Sequence, residues 1–342
     1  MFAAILAGAT LLVAPRIVRS QAPLIGGHGG AAGYGTQCLS PNDDGSSAAI
    51  DVRPAFPSGL HFFSGTYTRL FVNTNGNVTF NGPLSTFTPR AFPVASQPMI
   101  APYWADVDIR PDGCGGLGAG TSATGSGPCR NPGENGVWWH LEPGRMIVTW
   151  DRVGYFSCQL NHRMSFQLVL TDASQCGGDG NFDVEFRYNR CEWTTGGASG
   201  GTGGFGGTPA QAGFDAGDNS HFFSIPGSLM PNVHQRLCGG TNINQRGVFR
   251  FAIRSGTITD DGGVSCLPDG FDYDASDAPT YDVCLDRPCL LLKGRAGPWG
   301  NCTCRVPGRG PGRGRALALV AVVGIVISGM RRLRHRRPRR TP

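Results

Sequence analysis

From Leu70 to Phe80 the chain reads LFVNTNGNVTF, two apolar runs on either side of Asn75-Gly76. That dipeptide supplies the positive φ angles of a tight turn, so the segment predicts a β-hairpin. A second hairpin is predicted where Val137–Leu141 and Met146–Trp150 flank Glu142-Pro143-Gly144-Arg145, with Pro and Gly suited to the two central turn positions. Met164, Phe166, Leu168 and Leu170 alternate with polar neighbours, as do Phe182, Val184, Phe186 and Tyr188, the period-two signature of half-buried antiparallel strands. Phe249, Phe251 and Ile253 share one face of a last strand over Val248–Arg254. The pattern predicts a mainly β protein, with antiparallel, sandwich-like sheets joined by long Gly-rich loops and a short hydrophobic helix at each end of the chain.

Composition agrees with this reading. The 53 Gly and 25 Pro among 342 residues disfavour long helices, and 40% hydrophobic residues still supply a core. Gly113–Gly127 and Gly196–Gly207 lack side chains for a core and are expected to be surface loops, the second a flexible one without the lysine of a phosphate-cradling motif.

Charge is unevenly distributed. The formal net charge is +6, yet Arg16, Arg19 and eleven arginines from Arg305 to Arg340 lie at the ends, leaving seventeen basic against twenty-four acidic residues between them. An acidic body without a basic stripe argues against nucleic acid as a partner. Residues 1–22 carry an apolar run, Phe2–Ala14, followed by small residues at Ser20 and Ala22, the pattern of a cleaved signal peptide. Ala316–Met330 is an uncharged run of fifteen residues before a basic cluster at 331–342. It reads as a short transmembrane or sorting helix, about 22 Å long, with a cytoplasmic stop. The protein is therefore expected to be exported and held at the cell surface or envelope by its C-terminus.

In an oxidising compartment twelve cysteines are most simply read as disulfides, with Cys114, Cys129, Cys158, Cys176, Cys191, Cys238, Cys266 and Cys284 as candidates. Pairing is not fixed by sequence, although Cys114 and Cys129 bracket a Gly-rich loop and suggest a local bond. The absence of CxxC, HxxxH and HExxH spacing disfavours zinc.

Pro98–Asp108, read as PMIAPYWADVD, then Asp183-Val-Glu-Phe-Arg-Tyr188, then Gln211-Ala-Gly-Phe-Asp215, together with the Asn-Gly hairpin, resemble in sequence order the nidogen-like extracellular (NIDO) domain. The resemblance covers roughly residues 58–255 and implies an extracellular module associated with adhesion and matrix contact, with no catalytic residues to transfer. Residues 23–57 are then an N-terminal extension, 256–304 a Cys-rich acidic segment and 305–315 a Gly/Pro/Arg linker. The tail, from Asn301-Cys302-Thr303-Cys304-Arg305 through the apolar run to the final arginines, is similar to MYXO-CTERM-type sorting signals of bacterial envelope proteins. That resemblance implies Cys302 or Cys304 as the processing and anchoring residue; the alternative is that both form disulfides.

Two constellations carry candidate chemistry. Asp106 and Asp108, on one strand face, could bind Ca²⁺ or act as acid and base, or be plain strand-end acceptors. Asp269, Asp272, Asp274, Asp277 and Asp282 crowd fourteen residues between Cys266 and Cys284; Asp272, Asp274 and Asp277 are candidate Ca²⁺ ligands, although the spacing is not that of an EF-hand. Apart from calcium no cofactor is expected. The leading functional reading is a non-enzymatic, surface-anchored protein for adhesion or matrix interaction, whose partners are matrix or envelope proteins or glycans. The alternative is a carbohydrate-binding or hydrolytic protein that stacks sugars on Trp138, Trp139, Trp150 or Trp193.

Overall fold

The computed structural model describes residues 22–114 and 135–259. The fourteen strand pairings among these residues fall into two principal antiparallel sheets and two small hairpins. The first sheet runs Gln37–Cys38, Gly136–Glu142, Arg145–Tyr155, Gln159–Asp172, Phe182–Cys191, Val248–Arg254 and Thr257–Thr259, with Val107–Asp108 pairing to the far end of Arg145–Tyr155. The second runs Phe222–Ser224, Gln211–Asp215, Met99–Trp104, Asn77–Thr79, Arg69–Asn73 and Ile50–Asp51.

Both predicted hairpins form. Glu142 pairs with Arg145, which leaves Pro143 and Gly144 as the two turn residues, and Gly144 takes φ +76°. In the first hairpin Asn73 pairs with Asn77, so the loop holds three residues, Thr74–Gly76, rather than two. Gly76 has φ +76°, and a Cβ there would lie 1.8 Å from the Tyr103 carbonyl oxygen. Backbone conformation and close approach both call for glycine at this position.

The alternating apolar positions meet between the sheets. Leu168, Leu170, Val184, Phe186 and Phe251 from the first sheet pack with Leu70, Val72, Ile100 and Phe214 from the second. Aromatic contacts link the layers, Phe186 stacking on Phe214 at 5.3 Å and Tyr103 meeting Phe166 at 5.4 Å, while Trp150 stacks on its cross-strand partner Phe166 at 5.0 Å within the first sheet. The buried polar tips are bonded, Trp150 Nε1 donating to the Thr74 carbonyl at 3.0 Å, Tyr103 Oη to the Trp193 carbonyl at 2.6 Å and Tyr188 Oη to the Pro102 carbonyl at 2.7 Å. Each such bond removes the desolvation penalty of a polar atom placed in an apolar layer.

Several expectations need correction. Residues 23–57 are not an appendage: Leu39, Val52, Ala55 and Phe56 are buried in the main core, and Gln37–Cys38 and Ile50–Asp51 are strands of the two sheets. The β region also continues past 255 through Thr257–Thr259. Gly196–Gly207 is not a loose loop; it forms a 3-10 turn over Gly197–Ser199 and a short hairpin, Gly201–Thr202 with Phe205–Gly206, and Ser199 is buried. Cys114 bonds to Cys158, not to Cys129, because the Gly113–Cys114 turn lies against the end of the hairpin that carries Cys158, where the Gly113 N–H donates to the Cys158 carbonyl. Cys191 bonds to Cys238, joining the end of a central strand to the helix Val233–Gly239. Cys38 is also disulfide-bonded. Cys129, Cys266, Cys284, Cys302 and Cys304 lie outside the described residues, as do the terminal apolar runs and the acidic segment with Asp272, Asp274 and Asp277. Among the described residues no helix is long and apolar enough to cross a membrane.

The two bridges span sequence separations of 44 and 47 residues. Closing loops of that length restricts the unfolded chain by roughly 2–4 kcal/mol each. Replacing Cys191 and Cys238 together by Ala is expected to lower the urea-unfolding free energy by about that amount while the β circular-dichroism signature persists; an unchanged midpoint would show that the bond contributes nothing to stability.

Candidate functional site

The segment Ala101–Asp108 leaves one sheet and enters the other. Met99–Trp104 belongs to the second sheet, Val107–Asp108 pairs with Gly154 and Tyr155 in the first, and Ala105-Asp106 makes the crossing. Two acidic residues are thereby carried into the interior: Asp106 is 1% exposed and Asp108 0%. The sequence motif that carries the family resemblance is therefore also what buries these carboxylates.

Their environments differ sharply. Asp108 is fully engaged: Oδ2 accepts from the Cys158 N–H at 2.7 Å and from Arg110 Nη2 at 2.5 Å, and Oδ1 accepts from Arg110 Nε at 2.9 Å. It is a structural acceptor that ties the crossing to the Cys114–Cys158 bridge. Asp106 accepts the Ala198 N–H on Oδ2 at 3.2 Å, but its Oδ1 is buried with no hydrogen-bond partner. The turn that covers it must be glycine at one point, since a Cβ on Gly196 would lie 2.4 Å from Asp106 Oδ2.

Two further carboxylates approach from the loop Asn42–Gly45, which sequence reading passed over as part of an extension. Asn42 folds this loop by accepting the Gly45 N–H at 2.6 Å and the Thr74 hydroxyl at 2.6 Å through Oδ1. The hairpin loop is the other anchor: Asn75 Oδ1 accepts the Val107 N–H at 3.0 Å, and Asn75 Nδ2 donates to Asp44 Oδ1 at 2.8 Å. Asp43 Oδ2 accepts from Arg110 Nη2 at 3.2 Å, while Asp43 Oδ1 is buried and unpartnered. Carboxylate oxygens of Asp43, Asp44 and Asp106 lie within 4.8 Å of one another. Of these four carboxylates only Asp43 and Asp108 pair with the Arg110 guanidinium. Burial, reinforced by the neighbouring acids, pushes the Asp43 and Asp106 carboxyls up to about 7, and burial raises Asp44 as well.

The predicted pairing of Asp106 with Asp108 is replaced by this arrangement, in which Asp106 faces Asp43 and Asp44 while Asp108 faces Arg110 and the Cys158 amide. Of the signals that could have located it, only the Asn42-Asp43-Asp44-Gly45 turn sequence was present. A second cluster, also unforeseen, brings His28 against His140, the rings stacked at 4.4 Å, with Glu142 3.4 Å from His140 Nε2. It is only partly buried, and burial together with the neighbouring His140 lowers the His28 pKa. The sugar-stacking platform expected of Trp138, Trp139, Trp150 and Trp193 does not exist: all four are buried, the most accessible being Trp139 at 8%.

The profile of the Nidogen-like domain matches residues 68–121 and 142–255, the hairpin, the crossing and the central strands. This chain is a nidogen-like (NIDO) domain protein. It is 34% identical to mouse alpha-tectorin over 222 residues, which is 62% of this chain and 10% of that protein. It is 27% identical to Drosophila melanogaster nidogen over 240 residues, 62% of this chain and 16% of that one. Dendrite extension defective protein 1 of Caenorhabditis elegans is 24% identical over 230 residues, 64% of this chain and 18% of that one. The chain thus spans less than a fifth of the length of each of these relatives, and no solved structure matches it. Asp106 and Asp108 fall inside the matched NIDO residues, and Asp43 and Asp44 precede them.

Acid groups with raised pKa values in the fold bind more protons folded than unfolded between their ordinary pKa, near 4, and about 7. In chelator-containing buffer the stability of the NIDO fold is therefore expected to fall as pH rises from 4 to 7 and then to level off. Asp106→Asn is expected to make that decline shallower in urea titrations across the range; an equally steep curve for the variant would remove Asp106 from the cause.

Proposed function

We propose that this protein is an exported, non-enzymatic module that contacts extracellular matrix or envelope proteins or glycans and is held at the cell surface by its C-terminal segment. The observation that carries the reading is the match of the sandwich core, 68–121 and 142–255, to the nidogen-like domain, a family of extracellular modules associated with matrix contact. The disulfide-bonded Cys38, Cys114, Cys158, Cys191 and Cys238 support an oxidising compartment. Against hydrolysis stands the engagement of Asp108. An acid/base pair needs two carboxyls facing one substrate position, whereas Asp108 is held on both oxygens by Arg110 and the Cys158 amide. Against a sugar-stacking surface stands the burial of the four named tryptophans.

The anchoring part rests on sequence: an acidic, Cys-bearing body gives way at Arg305 to a segment with eleven arginines around a fifteen-residue apolar run. Residues 1–22 act as the signal, and Cys302 or Cys304 serves processing. Truncation after Cys304 is expected to release folded protein into the medium, and that secreted protein to bind matrix or envelope preparations without turning over glycans. Retention of the truncated form in the membrane fraction would remove the anchor. Glycan hydrolysis lost in Asp106→Asn would replace the module reading with an enzymatic one.

A further inference from the structure

We propose that Asp43, Asp44 and Asp106 form a Ca²⁺-binding site that fastens the N-terminal loop Asn42–Gly45 to the sheet crossing. An acidic cluster alone would not suffice for this. The deciding feature is Asp106 Oδ1, an oxygen of a side chain 99% withdrawn from solvent that has no hydrogen-bond partner, in a carboxylate cluster whose oxygens lie within 4.8 Å of one another. A carboxylate oxygen so placed needs a cation or a proton, because leaving it ionised and unpaired is costly.

The nearest fixed cation does not serve it. Arg110 spends Nε and Nη2 on Asp108 and, within the cluster, reaches only Asp43 Oδ2. In each of the three carboxylates one oxygen is oriented by a protein donor: Asp43 by Arg110, Asp44 by the Asn75 amide and Asp106 by the Ala198 N–H. Hydrogen-bond donors of this kind hold metal-ligating carboxylates in place and leave the remaining oxygen for the ion. In Asp43 and Asp106 that remaining Oδ1 is the buried, unpartnered atom.

An all-oxygen donor set selects a hard cation. Ca²⁺ takes oxygens at about 2.3–2.6 Å in flexible geometry, so two of its ligands stand at most about 5 Å apart, which accommodates the observed spread. The donors come from a loop and a strand crossing, a flexible and irregular set that suits the variable coordination of Ca²⁺ better than the strict octahedron of Mg²⁺, with water completing the coordination sphere. The Gly196 close approach supplies the lid, since any side chain there would displace Asp106. Ca²⁺ bound here would join a loop that precedes the matched family residues to the motif inside them, adding to the core and sheet contacts that already hold the N-terminal segment in the domain. The proposal does not rest on matrix binding; only the expected affinity, about 10⁻⁴–10⁻³ M as in extracellular modules, assumes an exported protein.

The test uses the full chain, stripped with EDTA and dialysed, and reads thermal unfolding in 10 mM CaCl₂ or MgCl₂ alongside ⁴⁵Ca²⁺ equilibrium dialysis. Ca²⁺ is expected to raise the melting temperature by about 3–10 °C and Mg²⁺ by much less. Asp106→Asn and Asp43→Asn are each expected to abolish the Ca²⁺ shift while the metal-free protein melts no lower than wild type, because each substitution removes an acid whose Oδ1 is buried without a partner. The combined Asp272→Asn, Asp274→Asn and Asp277→Asn variant is expected to keep the shift and the bound ion. No shift in the wild type, a shift that survives both single substitutions, equal shifts in Mg²⁺, or loss of the shift only in the combined variant would each overturn the proposal. Should Asp106→Asn fail to fold, the half-buried Asp43 site and the dialysis stoichiometry still decide it.

Discussion

The crossing of the chain from one sheet to the other at Ala105-Asp106 is the constraint on which the rest depends. A strand that changes sheets must satisfy its backbone where neither ladder reaches it. Here the Asn-Gly hairpin supplies the partners: the Ala105 N–H donates to the Asn75 carbonyl, the Val107 N–H to the Asn75 side chain, and the Asp106 carbonyl accepts the Phe156 N–H. The same crossing fixes two carboxylates inside the protein. One is neutralised by Arg110 and an amide; the other is left facing two more acids.

Energetically, the fold resolves the cost of these groups in two ways. Asp108 spends its charge holding Arg110 and the Cys158 amide, and so welds the crossing to a disulfide-bonded hairpin. Asp106 and Asp43 retain unpartnered oxygens, and a protein keeps such groups where they serve a proton or an ion. Structure and partner chemistry are linked at this point, because the turn Gly196–Ser199, the hairpin loop Thr74–Gly76 and the N-terminal loop Asn42–Gly45 converge on it.

Much of the sandwich was legible because its strands are long and alternate. Met164–Leu170 and Phe182–Tyr188 pair in the first sheet as their patterns imply, and Pro143-Gly144 sits at the two positions that its chemistry suits. Residues 37–56 were not legible, since Leu39, Val52, Ala55 and Phe56 are core residues without a period. The Cys114–Cys129 pairing erred because proximity in sequence was the only guide, whereas the hairpin end brings Cys158 to Cys114 over a separation of 44 residues. Gly196–Gly207 read as a flexible linker because glycine looks the same whether it serves freedom or close approach; at Gly196 it serves the approach to Asp106. The acidic site itself is assembled from three separate segments, and no local pattern marks Asp43 and Asp44 as partners of Asp106.

Crystals of the protein grown with CaCl₂ and examined by long-wavelength anomalous scattering give the most direct test of whether the sheet crossing is completed by an ion. The account predicts an anomalous peak about 2.3–2.6 Å from oxygens of Asp43, Asp44 and Asp106, with Arg110 still on Asp108. No peak at the crossing, with Arg110 or a water bonded to Asp106 Oδ1 instead, would contradict it.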